Sequence, residues 1–465
     1  MLTQLRFQNF KSWRETGEMR IAPLTGFFGT NSSGKTSILQ FLLMLKQTAE
    51  SNDRTQVLNF GNEHTYVDLG TAKNLLHKQQ IPSRLEFSLA WDRGDRLPYL
   101  SLPIEYVQVG ENHFTSAFAL VSQMQFSAAV EFDDEYIAAA QMIYSYPAKS
   151  GEPAQICLLK QGSDYSLVGT GMASVLPEIV GHDVTIGSPW KVYGFSREVF
   201  GGSPWRNLDS SFEHCFADIY YLGPVRDYPK RFYSWSGETP HDVGRYGENT
   251  IAALLSARKQ DPEIEAKIAH WLKFMGLIKD FKLDLIAPEQ RLYQASVRIA
   301  PGGTYVPLTD VGFGMSQILP VLVLCYYVPQ GSTIIFEQPE IHLHPSAQQK
   351  LADVFIDVIK TRDLQIILES HSEHLLHRLQ RRMAENGLNP SGFNAEDAAL
   401  YFCEMGDDGA SQISQLEVDP FGNITNWPTD FFGNEMEDLV AMTEAAVQRE
   451  AAANQTATEA IECTS

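Results

Sequence analysis

Residues 29–36 of this 465-residue chain read GTNSSGKT, a full match to the spacing G-x-x-x-x-G-K-[ST]. That spacing suits a phosphate. Gly29 and Gly34 let the backbone curl so that successive N–H groups turn inward as an anion nest. Lys35 reaches the β- and γ-phosphates, the Thr36 hydroxyl is a ligand for Mg²⁺, and the helix that begins here adds its positive dipole end. The expected nucleotide contacts are Asn31, Ser32, Ser33, Gly34, Lys35, Thr36 and Ser37, with ATP and Mg²⁺ as the bound species.

Residues 334–345 read IIFEQPEIHLHP. An apolar run ends on Glu337, and open α/β sheets bind ligands at the carboxyl ends of their strands. A carboxylate there holds Mg²⁺ directly or through water, which makes Glu337 the second expected metal ligand beside Thr36. Gln338 and Glu340 follow at once. A third apolar run, LQIILES, ends just before His371, which places a ring where a γ-phosphate or an attacking water would lie. His342 and His344 have no further ligand at useful spacing, so a turn-packing role is expected rather than zinc. His371, His374 and His377 recur every third residue, unlike the H-E-x-x-H zinc spacing. Arg378, Arg381 and Arg382 read as a solvated helix face, with a nucleic acid or protein contact as the alternative.

These residues need strands that end at one place and helices that start there. LTQLRFQNF at 2–10 alternates apolar and polar residues like a half-buried strand. A second run ends at GFFG, and the helix SILQFLLMLKQ that follows the glycine turn is apolar on most faces, so it must be buried against a sheet. TIIFE and LQIILES are apolar on both faces, as in parallel sheets. PSAQQKLADVFIDVIK opens with Pro345 at a helix start. Short β-like runs between 85 and 200 predict a β-rich lobe, while 247–276 and QILPVLVLCYY predict helices. KLDLI and YQASVRI predict strands with a PGG turn at 301–303, and Asp407 and Asp408 in MGDDG sit at a hairpin turn. The expected divisions are 1–84 and 206–400 for the two parts of an ATPase core, 85–205 for a β-rich insertion, 401–440 for a C-terminal segment and 441–465 for a flexible tail.

Composition narrows the setting. The formal charge is −21, which excludes a wholly basic surface for duplex nucleic acid but leaves a local basic groove open. Five cysteines lack any C-x-x-C pair, which speaks against a disulfide frame or a zinc cage. Neither a signal peptide nor an apolar run of about 18 residues is evident, so a cytoplasmic protein without a membrane span is expected.

Together the pieces resemble the RecF/SMC-like branch of ABC-type ATPases, which includes the overcoming-lysogenization-defect (OLD) ATPases. The resemblance runs from LRFQNFKSW and GFFGTNSSGKTSIL through VGFGMSQILPVL at 311–322 to EQPEIHLHP and LESHSEHL. YYLGPVRDYPKRFYSWSG, PHDVGRYGENT and ITNWPTDFFGNEMEDL resemble a bacterial subgroup ending in a domain of unknown function of the DUF3696 type. The resemblance implies an α/β ABC-type P-loop ATPase head with a β-rich insertion and no long coiled coil. It also implies a head-to-tail homodimer, or a higher oligomer, with ATP between P-loop and signature helix. VGFGMSQ replaces the usual LSGGQ-like string, so Gly314, Ser316 and Gln317 are the expected signature contacts. On the family pattern Glu337 is the metal-side acid, His371 the switch histidine, and Gln338 stands where a general base is usual. An amide cannot take a proton from water near pH 7, although it can orient that water. Glu340 is the alternative base. Slow hydrolysis and a long-lived ATP state are expected.

Some relatives belong to anti-phage defence loci, which suggests a setting and not an activity; an ATP-gated sensor or scaffold acting on a separate effector protein is the favoured expectation. A DNA-associated repair ATPase is the alternative, and a transporter subunit fits least, given the β-rich lobe. Arg226, in GPVRDYP, is read either as lining the nucleotide or dimer face or as a structural ion pair.

Overall fold

The computed structural model describes residues 1–92, 101–108, 114–147, 152–170, 184–186, 189, 191–194, 205–386, 392–428, 431, 440–447 and 449. Residues 1–425 form one compact unit, and 426–465 a second. In the second, Trp427 meets Phe431 edge-on at 5.0 Å, and 440–447 are helical.

Two sheets organise the first unit. The core sheet has six strands in the order Ile219–Leu222, Thr333–Glu337, Gln365–Glu369, Leu24–Gly29, Ala398–Met405, Ser411–Gln415. The first five run parallel. Both TIIFE and QIILE are buried along their full length, as parallel strands covered on both faces must be. The last strand returns antiparallel through the Asp407–Asp408 turn, where Asp408 also pairs with Arg14 at 2.5 Å.

A nine-stranded sheet forms the β-rich lobe. It takes in Leu2–Phe10, Trp13–Glu15 and Met19–Arg20 as well as Ser83–Asp92, Gln123–Phe132, Ile137–Tyr146, Ala154–Gln161, Asp164–Thr170 and Val184–Ile186, while Ser101–Gln108 and Phe114–Leu120 pair as a separate hairpin. Leu2–Phe10 pairs with Ser83–Asp92, which pairs in turn with Gln123–Phe132. The expected division at 84/85 therefore cuts a strand, and the lobe is continuous with the N-terminus rather than inserted after it. The division at 400/401 likewise cuts Ala398–Met405, so the C-terminal segment supplies two strands to the core sheet.

Helix Lys35–Glu50 lies between the two sheets, which explains its apolar faces. Phe41 stacks on Phe7 at 4.5 Å and meets Phe10 and Phe87 edge-on at 5.2 and 5.3 Å. Helix Trp205–Ala217 extends this layer, with Phe212 against Phe126 at 5.2 Å. The opposite face of the core sheet is covered by Phe313–Tyr327, Pro345–Arg362 and Glu373–Glu385, with Phe336 stacked on Phe355. Helices Thr250–Gln260 and Ile264–Phe274 accompany a small four-stranded sheet. Among the described residues the longest helix has 18 residues, so no long coiled coil is present there. Among the described residues no helix is long and apolar enough to cross a membrane.

One amide stitches the two sheets together. Gln365 is 1% exposed. Its Nε2 donates to the carbonyls of Leu2 (2.7 Å) and Ala22 (3.2 Å). Its Oε1 accepts from the Leu2 N–H (3.0 Å) and the Thr333 hydroxyl (2.9 Å). Both donors and both acceptor positions of the amide are used. Gln365→Leu would strand these buried groups, each worth about 1–3 kcal/mol. The expected loss is about 2–4 kcal/mol of unfolding free energy, read from the denaturant midpoint at unchanged slope.

Candidate functional site

The P-loop starts where strand Leu24–Gly29 ends. Gly29 has φ 130°, and a Cβ there would lie 1.9 Å from the Cys403 carbonyl oxygen. Gly34, at φ 91°, caps helix Lys35–Glu50, and its Cβ would strike the hydroxyls of Ser411 and Ser12. Only glycine combines a left-handed backbone with such close approach. The turn at NFKSW braces the loop: Trp13 Nε1 donates to the Gly34 carbonyl at 3.0 Å, and the Ser411 hydroxyl donates to Ser12 at 2.6 Å. Asn31 and Ser32 face outward, Ser33 and Lys35 are buried, and Gly34, Thr36 and Ser37 lie between these extremes.

Lys35 Nζ donates to the carbonyls of Thr30 (2.5 Å) and Gly29 (3.1 Å). Burial lowers its pKa, and the nearby Glu369 partly opposes that. The ammonium is thus held at the centre of the loop, where a phosphate would meet it.

The acidic side holds two carboxylates rather than one. Glu337 and Glu369 end neighbouring parallel strands and are partners in register, which brings their Cα atoms to about 4.8 Å. Glu369 Oε2 accepts from the Thr36 hydroxyl at 2.7 Å. Glu337 Oε1 accepts from the Tyr221 hydroxyl at 2.9 Å. Burial first, then the charge of Glu369, pushes Glu337 up to about 7. Burial raises Glu369 as well. Lys11, bonded to Gln40, lies close enough to oppose the Glu337 shift.

This arrangement fits a divalent cation. Two buried carboxylates that repel each other, with the Thr36 hydroxyl bonded to one, are a hard oxygen donor set of the kind Mg²⁺ takes together with water and phosphate oxygens. Thr36, Glu337 and Glu369 would hold it. Glu369 escapes the sequence reading, which attended to the histidine two residues on. Its signal was an acid at the end of an apolar run, the same as for Glu337. Tyr221 and Lys11 carry no comparable sequence signal.

Gln338 adopts φ 44°, a left-handed conformation that costs a non-glycine residue about 1–3 kcal/mol. Its N–H donates to the Glu369 carbonyl at 2.9 Å, which ties the two strand ends together. His371 is exposed over part of its surface, while the partial burial of its ring lowers its pKa, with Lys35 acting in the same sense. The nearness of Lys35 places it at the phosphate side. Glu340 is buried, its Oε1 committed to the Ser370 hydroxyl and the His371 N–H, both at 2.8 Å. That position suits a tether better than a base acting on solvent water.

The signature-position helix Phe313–Tyr327 begins at Gly312. Gly314 backs onto the strand-end loop, since a Cβ there would lie 2.8 Å from the His342 carbonyl. Ser316 is buried and donates to the Phe313 carbonyl at 2.7 Å. Gln317 is buried and bonded to Ser316, so its side chain is withdrawn from the helix entrance where a ligand contact is expected. Arg226 is buried against the carbonyls of Gln317 and Gln338, with the charge of Glu340 opposing its desolvation, a structural placement rather than one facing a ligand. His344 Nδ1 accepts from Ser346 N–H and caps helix Pro345–Arg362, and the His342 ring meets Phe313 edge-on. Both histidines therefore serve the turn. Arg378 and Arg382 bond to Asp353, and Arg381 to Glu385, so each arginine of the basic run has a carboxylate partner within the chain, three guanidiniums sharing two acids.

Residues 1–93 and 246–376 match the AAA ATPase domain family. Residues 393–442 match a family described as a protein of unknown function, DUF3696. No curated protein matches the chain. Among solved structures, the SMC head domain from Thermotoga maritima aligns with 11% identity and a TM-score of 0.38, covering 90% of this chain and 99% of that one. An Smc head bound to the C-winged helix domain of ScpA aligns with 12% identity and a TM-score of 0.44, covering 90% and 98%. An Smc head with an extended coiled coil, bound to the C-terminal domain of ScpA derived from Pyrococcus furiosus, aligns with 12% identity and a TM-score of 0.37, covering 90% and 96%.

The carboxylate pair makes stability depend on pH. Because burial raises Glu337 from 4.5 to about 7, the folded chain binds its proton more tightly than the unfolded chain does. Stability from this group is full below the unfolded value and is lost as pH rises through the folded one. Glu337→Gln keeps an acceptor for Tyr221 and removes the charge. Without added Mg²⁺, the variant should be more stable than the parent by about 3 kcal/mol at pH 8 and nearly equal to it at pH 4.5, as read by thermal melting.

Proposed function

We propose that this chain, a P-loop ATPase of the SMC/RecF/OLD-like kind with an AAA ATPase domain and a DUF3696 segment, works as an ATP-gated clamp. It holds Mg-ATP at residues 29–37, hydrolyses it slowly, and in the ATP-bound form pairs head to tail with a second copy to act on a separate effector protein. The observation that carries this reading is the contact of Thr36 with Glu369, in register with Glu337 and beside Lys35. Mg²⁺ bound there would offset charge on the β- and γ-phosphates. Lys35 and the loop N–H groups bind and orient the triphosphate. His371 faces its outer end, and Gln338 orients the attacking water.

Gln338 explains the slow step. General-base help is worth about 10²–10⁴ in rate, and an amide does not supply it. Glu340 is withdrawn from solvent, and we assign it to holding the His371 loop. The second copy would present the N-terminus of helix Phe313–Tyr327, with Gly312 and Gly314, to the nucleotide. In this reading Gly314 and Ser316, in the first turn of that helix, are the signature contacts to the other copy's nucleotide. A protein effector has more support than DNA, because the charge is −21 and the arginine run is paired internally. The cytoplasm and a phage-defence setting are part of this reading and rest on the family resemblance.

Purified protein with Mg-ATP tests the reading. Wild-type turnover should stay below about 1 s⁻¹, and size analysis should show a pair with ATP but not with ADP. Lys35→Ala should weaken Mg-ATP binding by about 10- to 100-fold, the worth of a charge-assisted contact. Gln338→Glu should raise kcat by about 10²-fold or more. Nucleotide affinity and self-association untouched by Lys35→Ala would sink the P-loop reading, and fast wild-type turnover would sink the clamp.

A further inference from the structure

One buried pair of charges beside the phosphate site is not used in holding a triphosphate. Arg226 follows strand Ile219–Leu222 and is 4% exposed. Its Nη1 donates to the Gln317 carbonyl at 2.9 Å, and its Nη2 to the Gln338 carbonyl at 3.3 Å. A single planar guanidinium therefore bridges the signature-position helix and the residue next to the metal-side acid. Glu340, 5% exposed, holds the other side of the same loop. Its Oε1 fastens Ser370 and the His371 N–H. Each charge steadies the other's ionised form against burial.

Neither ion is fully satisfied. Arg226 Nε and Glu340 Oε2 are buried and have no hydrogen-bond partner among the described residues. Buried charges with spare hydrogen-bonding capacity are costly, and an apolar pair of similar volume would often serve stability as well or better. What an apolar pair cannot do is grip three separate pieces of backbone. Here those pieces are the Gln317 carbonyl, the Gln338 carbonyl and the His371 N–H. Gly314, seated on the His342 carbonyl, makes a second strut between the same helix and the same loop.

We infer that Arg226 and Glu340 are positioning residues that link the placement of helix Phe313–Tyr327 to the placement of Gln338 and His371. This rests on the clamp reading. In a head-to-tail pair the helix closes on the nucleotide of the other copy, while Gln338 and His371 face the chain's own nucleotide. Arg226 and Glu340 thus form a relay inside each chain that couples the two nucleotide sites. The spare Nε and Oε2 give it a second set of bonds to adopt when the helix shifts on docking.

The test uses the full chain, Mg-ATP for turnover, and a slowly hydrolysed ATP analogue for equilibrium affinity. Arg226→Lys keeps the charge and loses the two-pronged geometry. Glu340→Gln keeps the Oε1 acceptor and loses the charge. Wild-type rate should rise sigmoidally with ATP. Each variant should flatten that curve to a hyperbola and lower kcat about tenfold, with analogue affinity changed by less than about twofold, because coupling and not ground-state binding is lost. The double variant should be no slower than the slower single one, as expected of two groups acting as a unit. If Arg226→Lys does not fold, Glu340→Gln and Gly314→Ala carry the test, and both must lose the sigmoidal response. The proposal is overturned by a folded single variant with the wild-type kcat and curve, by multiplying effects in the double variant, or by affinity that falls in step with rate. A wild-type chain that fails to bind the analogue overturns the P-loop reading and this one together. A wild-type chain that binds and hydrolyses ATP without cooperativity overturns this one alone.

Discussion

Two carboxylates in register on adjacent parallel strands repel each other, and everything around them either relieves that repulsion or holds them despite it. Glu337 leans on the Tyr221 hydroxyl, and Glu369 on Thr36. Burial removes the water that would otherwise screen both. An unfolded chain would separate the two acids and solvate each. The folded chain keeps them together at the one place where the P-loop, the Lys35 ammonium and the strand-end loops converge. Such an arrangement is costly to an empty protein and useful to one that takes up a cation with a triphosphate.

Holding that geometry falls to the parallel register and to a few buried polar groups that act across elements. The strands Leu24–Gly29, Gln365–Glu369 and Thr333–Glu337 bring the loop, the second acid and the first acid side by side. Gln365 ties the sheet to the lobe, Gln338 N–H ties the two acidic strand ends, and Arg226 ties the strand end to the signature-position helix. Each bond reaches between segments far apart in the chain, so none strengthens a helix or strand of its own. They fix where elements sit relative to one another, which a site built from five different segments requires.

Helix Lys35–Glu50 shows how the lobe enters the chemistry. Its N-terminus is the phosphate nest, while its body is clamped between the core sheet and the aromatic face of the lobe sheet, through Phe41 with Phe7, Phe10 and Phe87. A helix packed on both sides cannot drift, and so Thr36 stays within hydrogen-bonding distance of Glu369. The turn that carries Lys11, Ser12 and Trp13 belongs to the lobe sheet, yet it braces Gly34 directly. Lobe and core are parts of a single support for the loop.

Local pattern was enough to reveal the P-loop, the two apolar strands that end in acid, the buried helix after Gly34, the helix opened by Pro345 and the hairpin at MGDDG. Each rests on spacing within a dozen residues, where steric and periodic rules act directly. The lobe could be read as β-rich, but not as continuous with Leu2–Phe10, because alternation marks a strand without naming its neighbour. Glu369 was legible in kind, since its setting in LQIILES repeats that of Glu337 in TIIFE. Its pairing with Glu337 and Thr36 was not, because register between strands far apart in sequence is decided only when the sheet assembles. Gln317, Glu340 and Arg226 make the same point. Their identities suggested contact with a ligand, a reacting water or a partner, with a structural ion pair as the alternative for Arg226, and tertiary packing withdrew all three from solvent, because a buried polar group must bond wherever the assembled backbone offers it a partner.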